Sequence, residues 1–174
     1  MNSQPAFLKL ALTWEVKGTQ IYLDLARRAE NPLSRKLFYS LAKQEIDHAE
    51  RVNNIYDALQ TKTLNWQNIP LTKLPPIENE LKRLFTNLKR RGLNKKAANT
   101  KGYESAMEME RKSYAMYQKF AGQSENVLEK DFFQQLMKEE AAHLTSLQNV
   151  YYYLTRTREW FQEEESKVWS WMNW

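Results

Sequence analysis

The sequence predicts an all-α protein: a four-helix bundle made of two repeated helical hairpins joined by one long crossover, with a further C-terminal helix. Three observations predict it. Apolar residues recur at steps of three and four through four long segments, the spacing of one helix face. Glycine and proline are scarce, four and five in 174 residues, in a chain rich in Leu, Lys, Glu, Ala and Gln, which favours helix. The chain also repeats itself. Shifted by 95 positions, it is identical to itself at 15 of the 46 positions from Ala11 to Tyr56, with no gap, where unrelated helices would match at about three.

The first helix starts near Pro5, which suits a first turn, and its stripe runs through Leu8, Ala11, Glu15, Gly18, Tyr22 and Ala26. "ENPLS" ends it, because Pro32 disfavours helix at Asn31. The second carries Phe38, Leu41, Glu45, His48, Val52 and Ile55 on one stripe. "TKTLNWQNIPLTKLPP", residues 61–76, has three prolines and no period, so it reads as an irregular connector. A short basic helix is expected over about 77–91, ending at Gly92. The third long helix carries Tyr103, Ala106, Glu110, Ser113, Tyr117 and Phe120 and stops near "AGQSEN". The fourth carries Phe133, Leu136, Glu140, His143, Leu147 and Val150. The bundle is thus expected over residues 1–157, with the crossover at 61–99 and a Trp-rich helical tail at 158–174.

Composition narrows the chemistry. Apolar residues make up 42% and charged residues 27%, the balance of a globular domain. No cysteine is present, which excludes disulfides, thiolate metal sites and cysteine nucleophiles and suits a reducing, cytoplasmic setting. The apolar run near the start is short and lacks a basic leader, so no signal peptide is expected, and no stretch is long enough to cross a bilayer. The formal charge is +5, with much of the excess between Lys82 and Lys101. A solvated basic helix and loop is the simpler reading of that run, and nucleic-acid binding is not expected.

The repeat pairs residues of one chemical kind. Glu15 aligns with Glu110, Tyr22 with Tyr117, Glu45 with Glu140 and His48 with His143. Both histidines of the chain follow a glutamate by three positions, and residues three apart on a helix are neighbours. Glu15, Glu45, His48, Glu110, Glu140 and His143 all fall on apolar stripes, so six ligand-type side chains are expected to converge in the core. Four ionised carboxylates cannot share an apolar interior, since each uncompensated buried charge costs several kcal/mol. Two divalent cations would balance them, and carboxylate with imidazole suits iron, manganese or zinc. One Glu from each of two helices and a Glu-x-x-His pair from each of the other two is the ligand set of ferritin-like di-metal bundles, whose order is also hairpin, crossover, hairpin.

Tyr22 and Tyr117 lie seven residues beyond Glu15 and Glu110. They either hydrogen-bond to ligand carboxylates or serve as core aromatics. Gly18 and Ser113, three residues beyond the same glutamates, leave room for an exogenous ligand or for close helix packing. Asp47 is most simply a surface carboxylate; the alternative is that it orients a ligand on a facing helix, such as His143. Its counterpart is Ala142.

"LTWEVKGTQIYLDLA", "LAKQEIDHAE", "AMEMERKSYAMYQKFA" and "LMKEEAAHL" resemble the rubrerythrin branch of the ferritin-like superfamily, from about residue 5 to 155. The resemblance implies two iron ions held by Glu15, Glu45, His48, Glu110, Glu140 and His143, which would act in catalysis through those metals; manganese, a mixed manganese–iron pair or zinc are alternative occupants. It implies reaction with peroxide or dioxygen, or oxidation of ferrous iron as in ferritin relatives. Two departures stand out. Typical members carry a further glutamate three residues after the third-helix ligand, where this chain has Ser113. Full-length members also carry a rubredoxin domain with four cysteine ligands, which a chain without cysteine lacks, so a separate electron-donor protein is expected. A metal-stabilised, non-catalytic interaction module is a third possibility. Trp160, Trp169, Trp171 and Trp174 in the acidic tail are expected to cap the bundle or to bury in a homodimer interface.

Overall fold

A computed structural model describes residues 4–69, 74, 75, 77, 79–81, 83 and 100–155. Four long helices dominate: α1 (Gln4–Arg28), α2 (Pro32–Gln60), α3 (Thr100–Gln123) and α4 (Val127–Thr155). Residues 29–31 and 124–126 close the two hairpins, and these connections are themselves related by the 95-residue shift. Each helix after a turn is started by an asparagine cap. Asn31 Oδ1 accepts from the amides of Leu33 and Ser34, at 2.9 and 3.3 Å. Asn126 Oδ1 accepts from those of Leu128 and Glu129, at 2.9 and 3.2 Å. The caps satisfy amides that the first helical turn would otherwise leave unpaired, and Pro32 occupies the first turn of α2, where no amide hydrogen is needed.

α1 packs along α2 and α3 along α4, and the hairpins meet through α1 with α3 and α2 with α4. All the stripe residues read from the sequence are buried. The apolar ones form two clusters at opposite ends of the bundle. One holds Tyr22, Phe38, Leu41, Tyr103, Leu147 and Val150. The other holds Leu8, Val52, Ile55, Tyr117, Phe133 and Leu136. Adding 95 to the first-hairpin residues named in either cluster gives the second-hairpin residues named in the other, so an approximate two-fold axis exchanges the two ends. Burying each such side chain stabilises the fold by about 1.5–3 kcal/mol, which offsets the cost of the polar groups held between the clusters.

The clusters also fix helix directions. The start of α3 (Tyr103) packs with the end of α1 (Tyr22), so these helices run antiparallel. The end of α2 (Ile55) therefore lies at the opposite end of the bundle from the start of α3. Residues 61–99 must travel the bundle's length, about 43 Å for a helix the size of α2. Among the described crossover residues, Trp66–Asn68 form a 3-10 turn, and Ile77, Asn79–Leu81 and Arg83 are helical. Trp66 packs on Phe132, ring centroids 6.1 Å apart, while Ile77 and Leu81 join the first cluster. The rest of the short helix predicted to 91, most of the basic run and the tail at 158–174 lie outside the described residues. No described helix is long and apolar enough to cross a membrane.

Candidate metal centre

Between the two apolar clusters sits a polar layer with almost no exposure. Glu15, Glu45, His48, Glu110, Glu140 and His143 are each at most 2% accessible. Helical spacing places them there: each lies mid-helix on the inward stripe, and the Glu-x-x-His pairs of α2 and α4 face each other across the axis. The imidazole rings lie nearly parallel, 5.3 Å between centroids.

His48 Nδ1 lies 3.3 Å from Glu15 Oε2 and 3.0 Å from Glu140 Oε1. His143 Nδ1 lies 3.1 Å from Glu45 Oε1, 3.6 Å from Glu110 Oε2 and 3.5 Å from Glu140 Oε2. Those seven atoms are buried and have no hydrogen-bond partner. Buried polar atoms are nearly always satisfied, so a cluster of unsatisfied carboxylate oxygens and imidazole nitrogens aimed at one another is a place that can take cations. Two overlapping sets have ligand atoms mutually within 4.8 Å: Glu15, Glu45, His48 and Glu140, and Glu45, Glu110, Glu140 and His143. The 95-residue relation turns one set into the other, and Glu45 and Glu140 belong to both. The group can therefore hold metal.

The tyrosines complete the carboxylates. The Tyr22 hydroxyl donates to Glu110 Oε1 and the Tyr117 hydroxyl to Glu15 Oε1, each reaching across to the other hairpin. Glu15 and Glu110 thus keep one oxygen on a tyrosine and turn the other, Oε2, inward. Of the two readings the sequence leaves open for these tyrosines, the geometry supports hydrogen bonding to carboxylates, and both rings also belong to the apolar clusters.

Electrostatics follow from burial and crowding. Burial, then repulsion from Glu140, Glu15 and Glu110, pushes the Glu45 carboxyl well above its ordinary range. Burial and Glu140 push Glu110 up to about 8, although His143 opposes the rise. Glu140 goes the other way: burial would raise it, but His48 and His143 outweigh burial and hold it well down. Burial would lower both histidines, yet the facing carboxylates, Glu15 and Glu140 for His48 and Glu110 for His143, raise them. Without cations the layer can only balance itself by holding protons.

The structure corrects two expectations. Asp47, read most simply as a surface carboxylate or else as an orienting group for His143, is buried and pairs with Arg51 Nε at 2.8 Å, one turn along its own helix. The i, i+4 spacing brings those two side chains together and keeps Asp47 on its own helix. Gly18 and Ser113 do not leave open room. A Cβ on Gly18 would stand 3.0 Å from Glu45 Oε2, so the glutamate already fills that space. The Ser113 hydroxyl accepts a 2.6 Å hydrogen bond from Trp14 Nε1.

One group escaped the sequence reading. Glu139 Oε2 lies 2.9 Å from His48 Nε2 and contacts the Arg51 guanidinium, and Gln135 Nε2 donates to its other oxygen at 2.8 Å. Burial would raise the Glu139 carboxyl, but the contact with His48 and the charges of His48 and Arg51 hold it down at about 2. The adjacency of Glu139 and Glu140 was the available signal, but an acidic residue off the apolar stripe reads as solvated. Arg51 is fully buried and is the largest such side chain described.

Neither curated proteins nor solved structures gave a match to the chain. The family model described as Rubrerythrin matches residues 6–151, a span that includes both hairpins and all six converging side chains. On that match, and in keeping with its all-α bundle, the chain belongs to the rubrerythrin family.

Proposed function

We propose that this protein is a non-haem di-iron oxidoreductase that reacts with hydrogen peroxide or dioxygen. The observation that carries the reading is the pair of overlapping donor sets whose seven inward atoms lack hydrogen-bond partners. Glu15, Glu45, His48, Glu110, Glu140 and His143 would hold two iron ions, with manganese, a mixed pair or zinc as alternative occupants. Bound there, iron would supply Lewis acidity and the electrons that reduce an O–O bond.

The chain's own residues do the rest. Glu140 faces both histidines and, with Glu45, spans the two positions. Tyr22 and Tyr117 fix the two carboxylates that are not shared. The apolar clusters at either end exclude bulk water from the layer. Converting hydrogen peroxide to two waters takes two electrons and two protons; with no cysteine in these 174 residues to ligate a second iron centre, a separate donor protein would return the electrons. A cytoplasmic homodimer fits this reading.

The test is anaerobic loading with ferrous iron followed by peroxide. Stoichiometric loss of peroxide with appearance of ferric absorbance is expected, and loading without either change would sink the proposal. Oxidation and handling of ferrous iron as cargo is the second reading. Ser113 favours it, because its hydroxyl is held by Trp14 where typical relatives carry an additional glutamate. Solution mass separates the two: a closed multi-subunit shell supports storage, a dimer does not.

A further inference from the structure

The approximate two-fold axis holds for the six converging side chains and fails immediately behind the histidines. Each donor set is three carboxylates and one imidazole. The residues that the repeat pairs around them differ in charge: Glu139 with Gln44, Arg51 with Ser146, and Asp47 with Ala142. Behind His48, Nε2 faces Glu139 at 2.9 Å. That carboxylate is fixed by Arg51 and by Gln135, and Arg51 is fixed in turn by Asp47. Two anions and one cation leave the His48 side net negative. At the position that the repeat pairs with Glu139, Gln44 is a neutral amide whose nitrogen donates to the Pro75 carbonyl at 3.0 Å, tying it to the crossover. Gln44 also lines a cavity of about 400 Å³ whose wall carries Lys43, Glu80 and Arg83.

We propose that the two metal positions are inequivalent, and that Glu139, held by Arg51 and Asp47, is the positioning residue that makes the His48 position the tighter one. A carboxylate on the far ring nitrogen fixes the tautomer, leaves the Nδ1 lone pair aimed into the site, and makes that nitrogen a stronger donor. The excess negative charge behind the ring adds attraction for a cation, and bulk water screens it little, because Arg51 and Asp47 are buried and Glu139 is only 14% exposed. A neutral amide at the position paired with Glu139 gives the His143 position neither advantage. Ordered loading follows: a first ion takes Glu15, Glu45, His48 and Glu140, and a second completes the pair.

The inference rests on the metal-binding reading, and one experiment separates the two. The metal-free full-length chain is titrated with cobalt(II) against a competing chelator. The wild type is expected to show two steps differing by about tenfold or more. Glu139→Gln, close in shape, should weaken the tighter step by about 10- to 100-fold and leave the other within about threefold. Gln44→Glu should tighten the weaker step and narrow the gap, which keeps the idea testable if Glu139→Gln folds poorly. Two equal steps in the wild type, or a Glu139→Gln effect spread evenly over both, would overturn the inequivalence alone. Failure of the wild type to bind cobalt at all would overturn the metal reading with it.

Discussion

Tyr22, on the first hairpin, donates its hydroxyl to Oε1 of Glu110 on the second, 88 residues away, and Tyr117 returns the same bond to Glu15. The bond leaves Glu110 Oε2 as the oxygen that faces the other carboxylates. Tyr22→Phe would keep the ring in its cluster and delete only the hydroxyl. A hydrogen bond to a charged group contributes about 1.5–3 kcal/mol, and loss of a group that orients a ligand costs about tenfold in metal affinity. Tyr117→Phe should do the same to the other donor set. Chelator competition on each single variant and the double should show two comparable losses, one at each position. A double variant that binds both metals like the wild type would show that the tyrosines only fill space.

Gly18 separates metal uptake from stability. Replacing a mid-helix glycine with alanine ordinarily stabilises by up to about 1 kcal/mol. Here the new methyl would stand 3.0 Å from Glu45 Oε2, so the shared carboxylate must move. Gly18→Ala is expected to melt at the same or a higher temperature without metal, yet to bind metal at least about tenfold more weakly. Equal affinity in the variant would mean that Glu45 can shift freely, which does not suit a bridging role.

The pH dependence of the metal-free protein follows from the direction of its shifts. Glu45 and Glu110 have raised carboxyl values, Glu110 reaching about 8. Both histidines are raised as well. A group whose folded value lies above its unfolded value contributes stability that is complete below the unfolded value and is lost as pH rises through the folded one. Glu140 and Glu139, which are lowered, lose their contribution only in stronger acid. The metal-free protein should therefore melt progressively lower between about pH 5 and pH 8. Divalent cations replace the protons of the layer, so the rise in melting temperature on adding metal should grow over the same interval. Thermal melts with and without cobalt(II) at several pH values check both slopes.

Much of this was legible in the sequence because it is periodic. The stripe from Leu8 to Ala26 and its counterparts state which face of each helix is inside, and the 95-residue repeat brings Glu15, Glu45 and His48 into register with Glu110, Glu140 and His143. What lay beyond reach was the rotation of one helix against another. Glu139 sits about 100° around α4 from Glu140, off the stripe, and only the position of α2 decides that it meets His48 and Arg51 instead of solvent. The Trp14–Ser113 bond joins residues 99 apart on different hairpins, and no local pattern announces it. Asp47 reads most simply as a surface carboxylate, and only the packing of α2 against α4 buries it with Arg51.

Arg51 and its counterpart Ser146 make the last contrast. Both are fully buried, at the same place in the two hairpins. Arg51 sits between Asp47 and Glu139, so Arg51→Leu would strand two carboxylates in the interior. Breaking a buried ion pair from one side typically costs about 3–5 kcal/mol, and the loss should be largest near neutral pH, where Glu139 is ionised. Ser146 Oγ is buried with no hydrogen-bond partner. Removing an unsatisfied hydroxyl relieves a desolvation cost of about 1–3 kcal/mol, less the small void left behind. Ser146→Ala is expected to be neutral or stabilising by up to about 1 kcal/mol. Denaturant titrations of the metal-free variants should therefore move in opposite directions, or one should fall and the other hold. Equal destabilisation of both would show that the charged network contributes no more to the fold than its silent counterpart.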